Sequence, residues 1–252
     1  MRRRCRGSMC PALLVLMLAA PAVAAEDDLG RAARSVVRQY ADSVVPLKVV
    51  LSVQVKGRDQ EQKYEALGTV LDESGLIVAS NTAVDPFSRR PEMNSEVKSV
   101  KLLRKDGTEG KLTIVLRDKE LDLMFLQPEE DVELSHLGGA AAGPTLELAD
   151  RVVVLSQLGP VGDRQPAVLV GRVEAVVTKP RRLYVTGTIG SMNALGCPVF
   201  TRGGKPVGVL VLRVSKAAGA GRISGKLRAN TLPAVLPIVD LLDDIKQAKG
   251  EE

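Results

Sequence analysis

Nucleophilic acyl chemistry needs a hydroxyl or thiol, a general base to take its proton, and a group that orients the base. Candidates are few in this chain. His136 is the sole histidine, and Cys197 is the one cysteine beyond Cys5 and Cys10. Cys197 lies in the stretch Gly187-Thr-Ile-Gly-Ser-Met-Asn-Ala-Leu-Gly-Cys-Pro-Val-Phe-Thr-Arg-Gly-Gly-Lys-Pro-Val-Gly-Val209. This stretch reads as a glycine-rich loop, a short strand from Pro198 to Phe200, a Gly203-Gly204 turn and a second strand from Val207 to Leu212, which together make a hairpin. A thiolate at Cys197 is a competent nucleophile if a base lowers its pKa. Ser191 is a second candidate, but its loop contains no lysine to serve as base. One histidine and one such cysteine cannot supply a zinc set, and neither a phosphate loop nor a dinucleotide fingerprint is present. No metal site and no cofactor are expected.

The N-terminus sets the compartment and corrects the charge. Arg2, Arg3, Arg4 and Arg6 precede the apolar run from Ala12 to Ala20, and Ala22-Val23-Ala24 follows. A basic segment, a short apolar core and small residues at a cleavage site make a secretory signal peptide over residues 1–25, cut after Ala24 or Ala25. Export to a periplasmic or extracellular space follows, with no membrane span once the signal is removed. The signal holds four of the 35 basic residues and none of the 30 acidic ones, which leaves the mature chain at a net charge of +1. The high isoelectric point therefore belongs largely to the signal and does not argue for nucleic acid. Three Phe, three Tyr and no Trp provide no set of platforms for stacking bases either. With Cys197 alone remaining, no intramolecular disulfide is possible, so packing must supply the stability.

The mature residues divide into a helix, two β-rich halves and a second helix. Apolar residues from Leu29 to Val45 keep helical spacing, with Pro46 as the expected stop. Strands are expected at Leu47 to Val55, Gln62 to Leu71, Gly75 to Ala79, Val97 to Arg104, Lys111 to Leu116 and Leu121 to Leu126, with a loop from Ser80 to Arg90. The small, flexible stretch 137–144 reads as a linker between residues 26–136 and 145–252. Beyond it, strands are expected at Arg151 to Leu155, Ala167 to Val177, Arg182 to Thr188, the hairpin, and Arg222 to Leu227. Val235, Ile238, Val239, Leu242 and Ile245 then share a helical face, which predicts a three-turn helix folded back on the second half. Many short strands separated by turn signals point to barrels or sandwiches.

Three separated segments carry a family resemblance. The run Gly68-Thr-Val-Leu-Asp-Glu-Ser-Gly-Leu-Ile-Val-Ala-Ser-Asn-Thr-Ala-Val-Asp85 resembles the segment of HtrA/Deg-type trypsin-like serine proteases that ends Thr-Asn-Asn-His-Val-Val, and it puts Thr82 at the histidine. Asp118-Lys-Glu-Leu-Asp-Leu-Met-Phe-Leu126 resembles the family's Asp-x-x-x-Asp-Leu-Ala-x-Leu, with Asp122 at the aspartate. Asn193-Ala-Leu-Gly-Cys-Pro198 is similar to the nucleophile loop Gly-Asn-Ser-Gly-Gly-Pro, with Leu195 at the serine. The resemblance covers nearly all of residues 30 to 247. It implies an all-β fold, a trypsin-like double β-barrel with an N-terminal and a C-terminal helix. No PDZ domain of the kind that many relatives carry is expected after the C-terminal helix.

Under that resemblance the triad keeps only its carboxylate. Leucine cannot attack a carbonyl, and a threonine hydroxyl has no basicity near neutral pH with which to replace imidazole. Asp122 is then expected to end a strand or hold nearby backbone amides. Asn193, Ala194 and Gly196 would form a vestigial oxyanion loop, in which Asn193 replaces a family glycine. Cys197 remains either a possible reactive thiol or a small buried residue in place of a glycine. The expected function is an exported, catalytically inactive domain that binds a peptide or protein partner or serves as a scaffold. The alternative is a divergent peptidase with an unorthodox nucleophile.

Overall fold

The computed structural model describes residues 28–55, 57–89, 93–138, 143–187, 192–214 and 231–250. The signal segment, Ser191 and the strand expected at Arg222 to Leu227 lie outside the described residues. Helix α1 (Asp28–Tyr40) buries Leu29, Ala33 and Val36, with Asp28 in its first turn and Arg38 in its last, each suited to its end of the helix dipole. A 3₁₀ turn, Ala41–Ser43, follows and the chain enters a strand at Val44. The helix therefore stops before Pro46, contrary to the expectation. Val44 and Val45 pair with Thr69 and Gly68 instead, a use that suits β-branched residues better than helix. Pro46 sits one residue before the strand gains its second neighbour, so its missing N–H is tolerated.

The first half is a closed six-stranded barrel in the order β1-β2-β3-β6-β5-β4. Its strands are β1 (Val44–Val55), β2 (Arg58–Val70), β3 (Ile77–Ser80), β4 (Asn94–Leu103), β5 (Glu109–Asp118) and β6 (Leu123–Pro128). Alternation drives β1: Leu47, Val49, Leu51 and Val53 are all fully buried in the barrel interior. β3 has no exposed face at all, and β6 has none from Leu123 to Leu126. The loop expected from Ser80 to Arg90 contains one short helix, α2 (Asn81–Val84).

The second half is a seven-stranded sheet in the order β8-β7-β11-β12-β13-β10-β9. It comprises β7 (Arg151–Gln157), β8 (Pro166–Arg172), β9 (Ala175–Val177), β10 (Leu183–Val185), β11 (Pro198–Thr201), β12 (Pro206–Val214) and β13 (Thr231–Pro237). The run expected as one strand from Ala167 to Val177 breaks at Val173 and Glu174, where it leaves β7 and joins β10. The two edges of the sheet are thus separated by only two residues of chain, and the sheet curls toward closure. The all-β, two-barrel architecture with a helix at each end is as expected. The stretch 137–144 is less free than its composition implies at its described ends. Leu137 is buried with its amide donating to Val70 O (3.1 Å), and Gly143 lies against the backbone of Pro206 and Val207.

The C-terminal segment departs further. Val235 belongs to β13, Ile238–Leu241 form a 3₁₀ turn, and α3 (Leu242–Lys249) has about two turns. Helix α3 packs on β5 of the first barrel instead of folding back on the second alone. Lys249 Nζ reaches Asp72 Oδ2 in the β2–β3 turn (2.9 Å), and Ile238, Leu241 and Ile245 join the core that both halves share. Burial pushes the Asp72 carboxyl up, but hydrogen bonds from Ser74 and Lys249 outweigh it and leave the group below its usual value. The helix periodicity was real over a shorter span because Val235 is claimed by Leu210 and Tyr184 on either side.

Close strand approach imposes one strict requirement. A Cβ at Gly208 would lie 2.0 Å from Leu236 O and 2.7 Å from its carbonyl carbon, in the neighbouring strand β13. Gly208→Ala is expected to destabilise the protein by about 2–3 kcal/mol or more, measured by urea denaturation, because backbone must move to admit the methyl.

Candidate functional site

The Asp122 carboxylate stands at the junction of the two halves. It is fully buried, and the residue has a left-handed backbone (φ +67°), which aspartate adopts more readily than most side chains. The loop that presents it is held by Asp118, whose Oδ1 accepts from the amides of Glu120 (2.7 Å) and Leu121 (2.8 Å). Arg89 Nη2 donates to Lys119 O (2.6 Å) and Arg213 donates to Glu120 O. Burial and the neighbouring Arg89 both pull the Arg213 guanidinium below its usual pKa.

Four hydrogen bonds converge on this carboxylate. Oδ1 accepts from the amide of Thr82 (2.8 Å) and from its hydroxyl (2.5 Å). Oδ2 accepts from the Ser80 hydroxyl (2.6 Å) and, across the gap between the halves, from the Leu212 amide (2.8 Å). Arg89 Nη2 lies 3.5 Å from Oδ1. The main chain adds a fifth link, from the Asn81 amide to Asp122 O (2.9 Å). A buried carboxylate is costly unless its lone pairs are satisfied, and here donors from β3, α2 and β12 satisfy them.

The segment bearing Thr82 is fixed from behind. Ser80 caps α2, with its hydroxyl accepting from the Ala83 amide (3.2 Å). Asn81 Oδ1 accepts from Arg117 Nε (2.6 Å), whose Nη2 donates to the buried Asp85 carboxylate (2.6 Å). Ser95 Oγ also donates to Asp85 (2.8 Å). Thr82 thus sits on a turn with little freedom to rearrange.

Leu195 arrives from the other half. It and Ala194 are each only 1 % exposed, and Leu195 shares an apolar cluster with Leu121, Leu123 and Leu212. Met192–Ala194 form a 3₁₀ turn, and Asn193 is exposed. The Gly196 amide donates to Leu210 O (2.7 Å) and the Cys197 amide to Ala194 O (3.1 Å). Both of these amides are therefore engaged inside the protein. Gly196 has φ +83°, and a Cβ there would meet Ser80 N at 2.8 Å and Leu67 O at 2.9 Å. Its carbonyl accepts from the buried Thr69 hydroxyl (2.7 Å). The loop thus lies backbone to backbone on the first barrel, beside the residue that caps the Thr82 helix.

Cys197 is fully buried, and burial pushes its thiol up to about 12, only partly offset by a hydrogen bond with Ser156. Cys197 packs as a small residue in the apolar cluster that the two halves share. His136 lies elsewhere, half-exposed in a surface pocket of about 640 Å³ with Gln39, Tyr40 and Glu133. Its Nδ1 accepts from the Gly138 amide (3.0 Å). Neither this pocket nor a second of about 560 Å³ beside α1 is lined by Thr82, Asp122 or Leu195.

The structure joins Thr82 directly to Asp122 and brings the Leu195 loop against Ser80. Sequence reasoning missed Ser80, Arg89, Arg117 and the Leu212 amide as parts of this junction. Ser80 carried a signal, since a serine just before a helical turn is a natural N-cap. Arg117 and Leu212 carried none, because only the barrel topology brings them near.

Residues 66–209 match the trypsin-like peptidase domain, a span that contains Thr82, Asp122 and Leu195. The chain belongs to the trypsin-like peptidase family. No curated protein matches it at a significant level.

Removing the carboxylate tests the junction. Asp122→Ala leaves the Ser80 and Thr82 hydroxyls and the Thr82 and Leu212 amides without their acceptor and is expected to lower stability by about 3–5 kcal/mol. Asp122→Asn tolerates positive φ and keeps one acceptor oxygen but sets its NH2 against the Thr82 or the Leu212 amide, and is expected to lose a smaller amount, about 2–3 kcal/mol. Chemical denaturation of the two variants measures the difference.

Proposed function

We propose that this chain is a catalytically inactive member of the family, of the HtrA/Deg type, exported from the cell and used to bind a peptide or protein partner or as a scaffold. One observation carries the reading: the carboxylate at the triad aspartate position is saturated by Thr82, Ser80 and Leu212. Each oxygen of the carboxylate already accepts two hydrogen bonds from the protein. Leu195, at the serine position of the resemblance, is packed among apolar residues instead of presenting a reactive atom. The HtrA/Deg assignment rests on the gapless run from Gly75 to Asp85 and on the Asp118 to Leu126 segment. Export rests on the signal-like residues 1–25, which direct the chain to a periplasmic or extracellular space.

The competing reading is a divergent peptidase with another nucleophile. Cys197 argues against it through its burial and its raised pKa. Loss of a single triad member costs about four to six orders of magnitude in turnover, and this chain would lack two.

Fluorophosphonate and maleimide probes decide between the readings. The native protein is expected to resist both, with Cys197 labelled only after denaturation. Peptidase turnover is expected to fall at least about 10⁴-fold below that of an enzyme with a complete triad. Specific labelling of the native chain that disappears on Ser191→Ala or Cys197→Ala would overturn the proposal.

A further inference from the structure

The surface away from the junction carries a groove of consistent charge. Helix α1 lies across β7, where Leu29 and Ala33 pack on Val153. Its other side, through Arg31, Ser35 and Arg38, faces Arg202, Gly203 and Gly204 in the turn between β11 and β12 across an open groove of about 560 Å³. Three guanidinium groups line this groove, and among the described residues its single carboxylate is Asp28. Asp28 pairs with Arg202, yet the two side chains remain 55 % and 61 % exposed. So exposed a pair contributes little and exchanges readily for another carboxylate. Asp28 marks where such a carboxylate sits.

The spacing selects the ligand further. Arg31 and Arg38 are seven residues apart on α1, about 10.5 Å along its axis at 1.5 Å per residue. Three residues of polyproline II backbone, at about 3.1 Å each and three to a turn, cover nearly the same distance and return to the same face. Acidic side chains three positions apart on a segment in that extended conformation can therefore meet both arginines, while Arg202 faces them from the opposite wall. Guanidinium forks suit carboxylates because they can donate two parallel hydrogen bonds. A membrane surface fits less well: the groove is concave, and the apolar face of α1 is already buried, which leaves nothing to insert. No aromatic side chain lines the groove to stack a base.

We propose that the groove between α1 and the β11–β12 turn takes an extended acidic segment of a protein partner. The inference rests on the reading of the chain as a binding module and names the chemistry of what it binds. Fluorescence anisotropy on the purified protein tests it, with a labelled eight-residue peptide carrying glutamates three positions apart and a control carrying glutamine instead. The glutamate peptide is expected to bind saturably, more weakly as ionic strength rises from about 0.05 M to about 0.5 M. Arg38→Glu combined with Arg202→Glu is expected to weaken it about ten-fold or more, and Asp28→Asn to leave it unchanged or tighter. Circular dichroism and the single variant Arg38→Gln, expected to weaken binding by a smaller factor, guard against misfolding as the cause. Equal binding of the glutamine peptide, absence of binding, or unchanged binding by the charge-reversed variant overturns the proposal. So does tighter, arginine-dependent binding of phosphatidylserine vesicles or of an oligonucleotide. A failure here is separable from a failure of the inactive-peptidase reading, because the labelling experiment interrogates other residues.

Discussion

A carboxylate removed from water must find its hydrogen bonds in the protein, and the Asp122 carboxylate finds them on both sides of the interface between the barrels. Ser80 and Thr82 approach from the first barrel and the Leu212 amide from the second. Each donor depends on a larger element. Ser80 is in place because β3 pairs with both β2 and β6, and Leu212 because β12 runs beside β13. A shift of either barrel would strand a buried charge, so this one group couples the packing of the two halves. Helix α3 reinforces the same junction by spanning from the second sheet to β5 and Asp72.

That junction also bears on the chemistry. In a working triad the carboxylate orients an imidazole, which takes the proton of the nucleophile. Here a threonine hydroxyl and amide meet one oxygen of the carboxylate, and a leucine packs nearby in the apolar cluster of the interface. On the reading proposed above, residues that once served turnover have become parts of the core. The buried Cys197 fits the same picture, as does the absence of Thr82, Asp122 and Leu195 from the two open pockets described. Surfaces for partners then lie elsewhere, and the arginine groove beside α1 is the one whose charge and shape point to a ligand.

Much of the architecture was legible in residue patterns. Alternation in β1 and the Gly203-Gly204 turn located their strands, because local periodicity and turn chemistry agree there with the final packing. Legibility failed where a residue has two uses and the tertiary fold chooses. Val44 and Val45 continue the helical stripe of α1, yet β2 recruits them into β1. Val235 fits a helix face and also fills the gap between β12 and β10. The junction was half legible: Thr82, Asp122 and Leu195 stand out when the segments are compared with a known pattern. The donors Arg117 and Leu212 do not, since hydrogen bonds from a strand amide or a distant arginine leave no mark on local sequence.

Thr82 serves Asp122 as a structural partner, through both its amide and its hydroxyl. A double-mutant cycle in urea unfolding, built from Thr82→Val, Asp122→Ala and the pair, tests this partnership most directly. A coupling of about 1–2 kcal/mol is expected, because the hydroxyl donates at 2.5 Å to a buried acceptor. Additive effects, with a coupling indistinguishable from zero, would contradict the account.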